Sequence, residues 1–354
     1  MKWITTFLSG ALVFAVSIGV PIAAFATPEP SAIEMPASEP ATAPPLPPAT
    51  APVSAIAGCH NSSSEKSYQD PLFDAMAQID SGMYQTVLTR MDDSGVQRMA
   101  LFARLKRKTN GESDVIALKK RFPDRFIIGT PKWFDQSGDV SRVFISQTVS
   151  KLREGPYQFV GEILFAHGDK SHGEQTAAGE RYVSANAPTV IRMMQELQAL
   201  RVPVMTHWEV YNWERDWPDV HQLYEKFPTI AFIWPHAGFG SAAQAEIVLS
   251  QHANVMITLS KLEKDQRSLS SEEKSEQLGG AVVDECGSIL PEWRALIDKF
   301  PTRFMFATDA HKDFRWVKYA DVVSRWRKIL GQLPDPQAKM IAWQNAERVY
   351  GKPR

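Results

Sequence analysis

Cysteine is nearly absent from this 354-residue chain, which holds only Cys59 and Cys286. Two thiols so far apart in sequence have neither the spacing of a thiolate metal site nor that of a redox pair, and both are excluded. Whether the two join in a disulfide is left open at this point. Charge of one sign is also lacking. Lys and Arg total 39 against 40 Asp and Glu, for a formal net charge of -1. No general attraction to nucleic acid or to an anionic membrane surface is therefore expected. A glycine-rich phosphate turn after the first apolar run is missing too, which argues against a nucleotide-binding open sheet.

What is present begins with a targeting pattern. Lys2 precedes an apolar run from Phe7 to Phe25, and Ala24-Phe25-Ala26 gives the small-x-small pattern cut by signal peptidases. Ser9, Gly10, Ser17, Gly19 and Pro21 dilute the run, which favours cleavage after Ala26 over a retained membrane anchor. Residues 1–26 are thus expected to be a signal peptide. The product would be exported, periplasmic or secreted, with no stable membrane insertion. Residues 27–68 are rich in Pro, Ala, Thr and Ser and read as a disordered linker. Ile56-Ala57-Gly58-Cys59 matches a lipobox, but a lipobox must directly follow the hydrophobic segment. Lipid anchoring at Cys59 is accordingly not expected.

Residues 69–354 alternate short apolar runs with amphipathic stretches and are expected to form one α/β domain. Candidate strands are 72–78, 96–102, 126–131, 159–166, 202–207, 230–235, 254–259 and 304–308. Helical patterns follow most of them. The clearest is 187–200, which places Val190, Met193, Met194, Leu197 and Leu200 on one face. Eight continuous apolar strands with interleaved helices predict a parallel sheet covered by helices and closed as a (β/α)8 TIM barrel.

That architecture places chemistry at the C-terminal strand ends. Gln78, Glu162, His167, His207, His236 and Asp309 fall there. A lone histidine at such a place is more often a satisfied structural residue, so weight rests on the joint pattern. His311 could share the mouth, and Trp208 could wall an aromatic substrate, although packing explains an aromatic loop equally well. His221 and His252 lie in or beside helical stretches and read as structural.

Pro71-Leu72-Phe73-Asp74-Ala75-Met76-Ala77-Gln78 stands where one superfamily writes Asp-x-His-x-His. With Thr206-His207-Trp208-Glu209, Pro235-His236-Ala237-Gly238, Val160-Gly161-Glu162 and Arg303-Phe304-Met305-Phe306-Ala307-Thr308-Asp309, the chain resembles the amidohydrolase superfamily. The likeness is to the branch of aminocarboxymuconate semialdehyde decarboxylase and pyrone dicarboxylate lactonase. The resemblance implies Asp309 as general base, with His207 and His236 catalytic; Gln78, Glu162, His167, Trp208 and His311, taken from their places at the strand ends and in the adjoining loops, are the candidates for substrate contact. It also implies one divalent ion, Zn or Mn, on His207, His236 and Asp309. Met76 and Gln78 replace the strand 1 histidines, and a thioether and an amide are poor substitutes for imidazole, so a metal is disfavoured. The lactonase is understood to work without one. The expected partner is a small carboxylated, lactone or aromatic molecule undergoing hydrolysis. The alternatives are a metal-dependent non-oxidative decarboxylase and an inactive small-molecule-binding barrel.

Overall fold

Strands whose residues are buried on both faces need cover on both sides, and that demand organises this chain. In the computed structural model the described residues are 66–106, 109–132, 142–169, 176–260, 282–284, 286–311 and 313–351. The expected signal peptide and all but the end of the expected linker lie outside them. That linker was expected to reach residue 68, and this boundary needs correction. Tyr68 is buried, and its amide donates to the Arg327 carbonyl at 2.9 Å, so the folded chain has begun by Lys66.

Eight strands pair in parallel. They are β1 (Leu72–Ile79), β2 (Val96–Lys106), β4 (Phe126–Lys132), β5 (Val160–Asp169), β7 (Val204–Trp208), β8 (Phe232–Pro235), β9 (Val255–Leu259) and β10 (Phe304–Phe306). Their positions follow the apolar runs within a few residues. Two short additions, β3 (Thr109–Asn110) and β6 (Thr176–Tyr182), pair antiparallel with β2 and β5. The expected helices are present. Two further helical stretches, Tyr84–Ser94 and Asp335–Tyr350, and two short 3-10 turns, Val210–Asn212 and His236–Phe239, complete the described fold. None of the described helices is long and apolar enough to cross a membrane.

The strands form two sheets, one carrying β1, β2, β3 and β4 and the other running β10-β9-β8-β7-β5-β6. The sheets meet at both margins through single bridges. On one side Ala77 pairs with Ala310, with Gln78 N–H donating to Ala310 O at 2.7 Å and Asp309 N–H to Met76 O at 2.9 Å. On the other, Gly129 pairs with Phe159, and Thr130 N–H donates to Phe159 O at 3.0 Å. Contact there is so close that a Cβ on Gly129 would lie 2.4 Å from the Phe159 ring, so only glycine fits.

Two apolar cores result. An outer one lies between strands and helices. A smaller inner one gathers Phe73, Phe102, Ile127, Phe159, Met205, Ile233, Met256 and Met305, with Tyr350 from the last helix beneath them. Tyr350 Oη donates to Ala75 O at 2.6 Å, which ties the C-terminus to the end of the strands away from the histidines. Cys286 is disulfide-bonded, and the sequence has one other cysteine, Cys59, outside the described residues.

Asp74 fastens β1 to the segment after β10. Its Oδ1 accepts from Thr308 N–H at 3.0 Å and Met76 N–H at 3.2 Å, and its Oδ2 from Thr308 Oγ1 at 2.6 Å and Tyr319 Oη at 2.9 Å. Burial outweighs these donors and pushes the carboxyl up to about 6. The folded value exceeds the unfolded one, so the native state holds the proton more tightly. The stability this provides is present at low pH and lost as pH rises from about 4 to about 6. Urea unfolding of Asp74→Asn across this range should lack that decline. The wild-type curve should fall by about 3 kcal/mol more, at roughly 1.4 kcal/mol per unit; parallel curves would refute the assignment.

Candidate active site

Period-two alternation turns every second side chain of a strand inward, and at the C-terminal strand ends it assembles one polar cluster. Gln78 comes from β1, Arg104 from β2, Lys132 from β4, Glu162 and His167 from β5 and His207 from β7. His236 follows β8, Ser260 follows β9 and Asp309 follows β10. Gln78, Glu162, His207, His236 and Asp309 are all buried.

Two carboxylates dominate this cluster. Glu162 lies against the Lys132 ammonium, and its Oε1 meets His207 Nδ1 at 2.6 Å. Burial alone would push Glu162 up, but Lys132 and His207 more than reverse this and hold it well below the usual carboxylate range. His207 has its second nitrogen, Nε2, 3.1 Å from Glu209 Oε1. Burial would lower His207, yet Glu162 and Glu209 together raise it.

Asp309 is held differently. Its Oδ1 accepts from Gln78 Nε2 at 2.9 Å. Its Oδ2 faces His311 Nδ1 at 3.4 Å, His236 Nε2 at 3.6 Å and Arg315 Nη1 at 3.6 Å. The Gln78 amide nitrogen also lies 3.5 Å from Glu162 Oε2, so its two acidic neighbours fix its orientation. Gln78 Oε1 is buried and has no hydrogen-bond partner among the described residues. The backbone here is unusual for residues with side chains: φ is 47° at Asp309, 56° at His236 and 47° at Ala237. Left-handed non-glycine residues cost on the order of 1–3 kcal/mol each and concentrate where geometry serves function.

The structure thus brings Gln78, Glu162, His167, His207, His236, Asp309 and His311 together at one end of the strands. Trp208 requires correction. Its neighbour His207 points inward, so Trp208 points outward and is fully buried, stacked on Trp234 at 4.5 Å with Nε1 donating to Tyr224 Oη. It packs the outer core and does not line the cluster. His221 and His252 pair with each other at 2.9 Å in that outer layer. Lys132, Arg104, Arg315, Ser260 and Glu209 were missed. Glu209 was findable, since it stands two residues from His207 and shares its face.

A divalent ion at the position implied for the family can be tested against these donors. The implied trio of His207, His236 and Asp309 is not among the described groups whose ligand atoms converge, whereas Glu162, His207 and His236 offer ligand atoms within 4.8 Å of one another, a spacing an ion could bridge. Their chemistry does not suit it. Lys132 places a cation on Glu162, His207 Nδ1 is spent on Glu162, and His236 Nδ1 bonds Ser260 Oγ. β1 adds only Met76, packed in the inner core, and an amide that donates rather than ligates. Lys132 and Gln78 instead supply positive charge and donors to the two carboxylates.

Removing that charge should be costly. Lys132→Met leaves Glu162 buried with His207 and the more distant Gln78 amide as its remaining partners and should lower unfolding free energy by about 3 kcal/mol. Denaturant titration measures this, and a variant as stable as wild type would show that Glu162 does not depend on Lys132.

A family profile described as Amidohydrolase matches residues 159–352, more than half of the chain. No curated protein matches. Among solved structures, a probable 2-pyrone-4,6-dicarboxylic acid hydrolase from Acinetobacter baumannii, with citric acid bound, is 12% identical with a TM-score of 0.51. The likeness covers 79% of this chain and 99% of that one. An uncharacterized TIM-barrel protein from Bordetella bronchiseptica is 11% identical with a TM-score of 0.52, covering 79% and 98%. A 2,6-dihydroxybenzoate decarboxylase from Rhizobium is 12% identical at 0.48, covering 80% and 99%. At identities this low, the two likenesses with TM-scores above 0.5 speak for the fold alone. The profile match places this chain in the amidohydrolase family.

Proposed function

We propose that this protein is an exported (β/α)8 hydrolase that opens a small carboxylated lactone or ester with a water activated by Asp309. Closure of the eight strands into one barrel is supported by the bridges Ala77 to Ala310 and Gly129 to Phe159 and by an inner core drawing on seven of the strands and on Phe159, which leads into β5. Export is supported by the N-terminal targeting pattern and by the disulfide at Cys286, a bond that persists in oxidising compartments. Family membership supports an enzyme.

The observation that carries the reaction is the posture of Asp309. One carboxylate oxygen is fixed by Gln78, while the other is aimed at His236, His311 and Arg315 at 3.4–3.6 Å. A water in hydrogen-bond reach of that oxygen can lose a proton to it as the water oxygen bonds to the substrate carbonyl carbon. His236 and His207 are placed to stabilise the oxyanion, His207 through the positive character its two carboxylates confer. Collapse breaks the ring or ester C–O bond, and the proton taken by Asp309 passes to the leaving oxygen. The products are an acid and an alcohol or enol. No step requires a group beyond the chain and water.

Arg315 and Arg104, both partly or fully buried near Asp309, suit recognition of a substrate carboxylate. Citric acid in the Acinetobacter hydrolase supports a polycarboxylate class. Gln78 Oε1 supplies an acceptor for a substrate hydroxyl. The decarboxylase alternative would need an ion where Lys132 and Gln78 already serve the carboxylates.

Asp309→Asn keeps shape and most hydrogen bonding but removes the base. Against a panel of carboxylated lactones and esters, its kcat should fall by ~10²–10⁴ with little change in melting temperature. Full turnover by a folded Asp309→Asn protein would sink the mechanism.

A further inference from the structure

We propose that His221 and His252 form an acid-sensitive clasp between the helix Trp213–Lys226 and the end of the helix Ala242–Gln251, closed at neutral pH and opened as the pair takes up protons. The proposal does not depend on the hydrolytic reading. His221 lies within the first helix, and His252 ends the second, its N–H donating to Val248 O at 3.0 Å. His221 Nδ1 meets His252 Nε2 at 2.9 Å. Two imidazole nitrogens bond at that distance when one carries a hydrogen and the other a lone pair. A neutral pair meets this condition, and so does a pair with one added proton. A second added proton sets N–H against N–H and turns two like charges on each other. Proton count therefore decides whether the contact can exist.

The surroundings make the added charge costly. His252 is buried, with the rings of Trp217 and Tyr224 5.7 and 5.5 Å from its own. Trp217 also lies 5.4 Å from the His221 ring. Neighbouring charges give little relief. Arg303, just before β10, donates through Nη2 to the His252 carbonyl and brings a positive charge to that side. Glu225, on the same helix as His221, reaches the other nitrogen of His221, Nε2, at 3.9 Å and is largely exposed. Burial first, then His221 and Arg303, push His252 down from 6.5 to about 4. The folded chain thus holds this proton less tightly than the unfolded chain. The clasp's contribution to stability is complete above about 6.5 and is lost as pH falls toward about 4. Trp217 stacks in turn on Trp213 and Trp208, at 5.0 and 6.0 Å, so the clasp closes the aromatic layer that covers β7.

Urea unfolding of the full chain between pH 7 and 4 tests this, read as the difference between wild type and variant so that the opposite titration of Asp74 cancels. Over this range the folded-to-unfolded ratio of wild type should fall by roughly 100-fold more than that of His252→Gln. The near-ultraviolet circular dichroism of the native tryptophans should change in wild type toward pH 4 and stay constant in His252→Gln. His221→Gln, at the half-exposed partner, keeps the burial of His252 and the charge of Arg303 but removes the facing imidazole. Its acid decline should be several-fold smaller than that of wild type, which keeps the test decisive where His252→Gln does not fold. Parallel unfolding curves for wild type and His252→Gln would overturn the proposal. So would a wild-type tryptophan signal constant to pH 4, or an acid decline in His221→Gln equal to that of wild type.

Discussion

Glu162 is the group on which the site depends. A carboxylate buried this fully survives as an anion only if cations and donors are built around it, since its desolvation costs several kcal/mol. Lys132 from β4 and His207 from β7 supply them. The ion pair has a second effect, because β4 and β5 are the strands whose sheets meet through the single Gly129–Phe159 bridge. The charge that satisfies Glu162 therefore also draws the two sheets together. Through His207 the same carboxylate sets the orientation of an imidazole that reaches Glu209 and His167.

Asp309 occupies the opposite side of the cluster under a different regime. It has the Gln78 amide in place of a full cation on Oδ1, and its other oxygen looks toward three donors at longer range. Its backbone is left-handed, as is that of His236. Such conformations persist because surrounding structure overdetermines them. Here Asp309 N–H is pinned to Met76 O, and the adjacent Thr308 is locked by both oxygens of Asp74. The shape of the margin between β1 and β10 thus comes from the buried carboxylate of Asp74.

The eight strands were legible because continuous apolar runs of strand length, spaced by amphipathic segments, have few other solutions. Tyr84–Ser94 was missed because its buried stripe is only Val87, Leu88 and Met91, with no side-chain cap to announce it. The strand-end residues followed from geometry once the strands were placed. Lys132 escaped because the expected strand stopped at Pro131, one residue short of the ammonium that balances Glu162. Trp208 was misread because loop aromatics suggest a pocket, whereas strand alternation sends it outward beside inward His207. What no periodicity could reveal is the pairing itself: that the amide of Gln78 would bond Asp309, and that Lys132 would stand where an ion might be imagined.

The central claim is that side chains of this protein, and not an ion at the family's position, manage the charge of the hydrolytic centre. Hydrolysis of a carboxylated lactone by protein stripped with chelator, its metal content checked by atomic emission, tests it most directly. The account predicts an unchanged rate in the stripped protein. Activity lost on stripping and restored by zinc or manganese would contradict it.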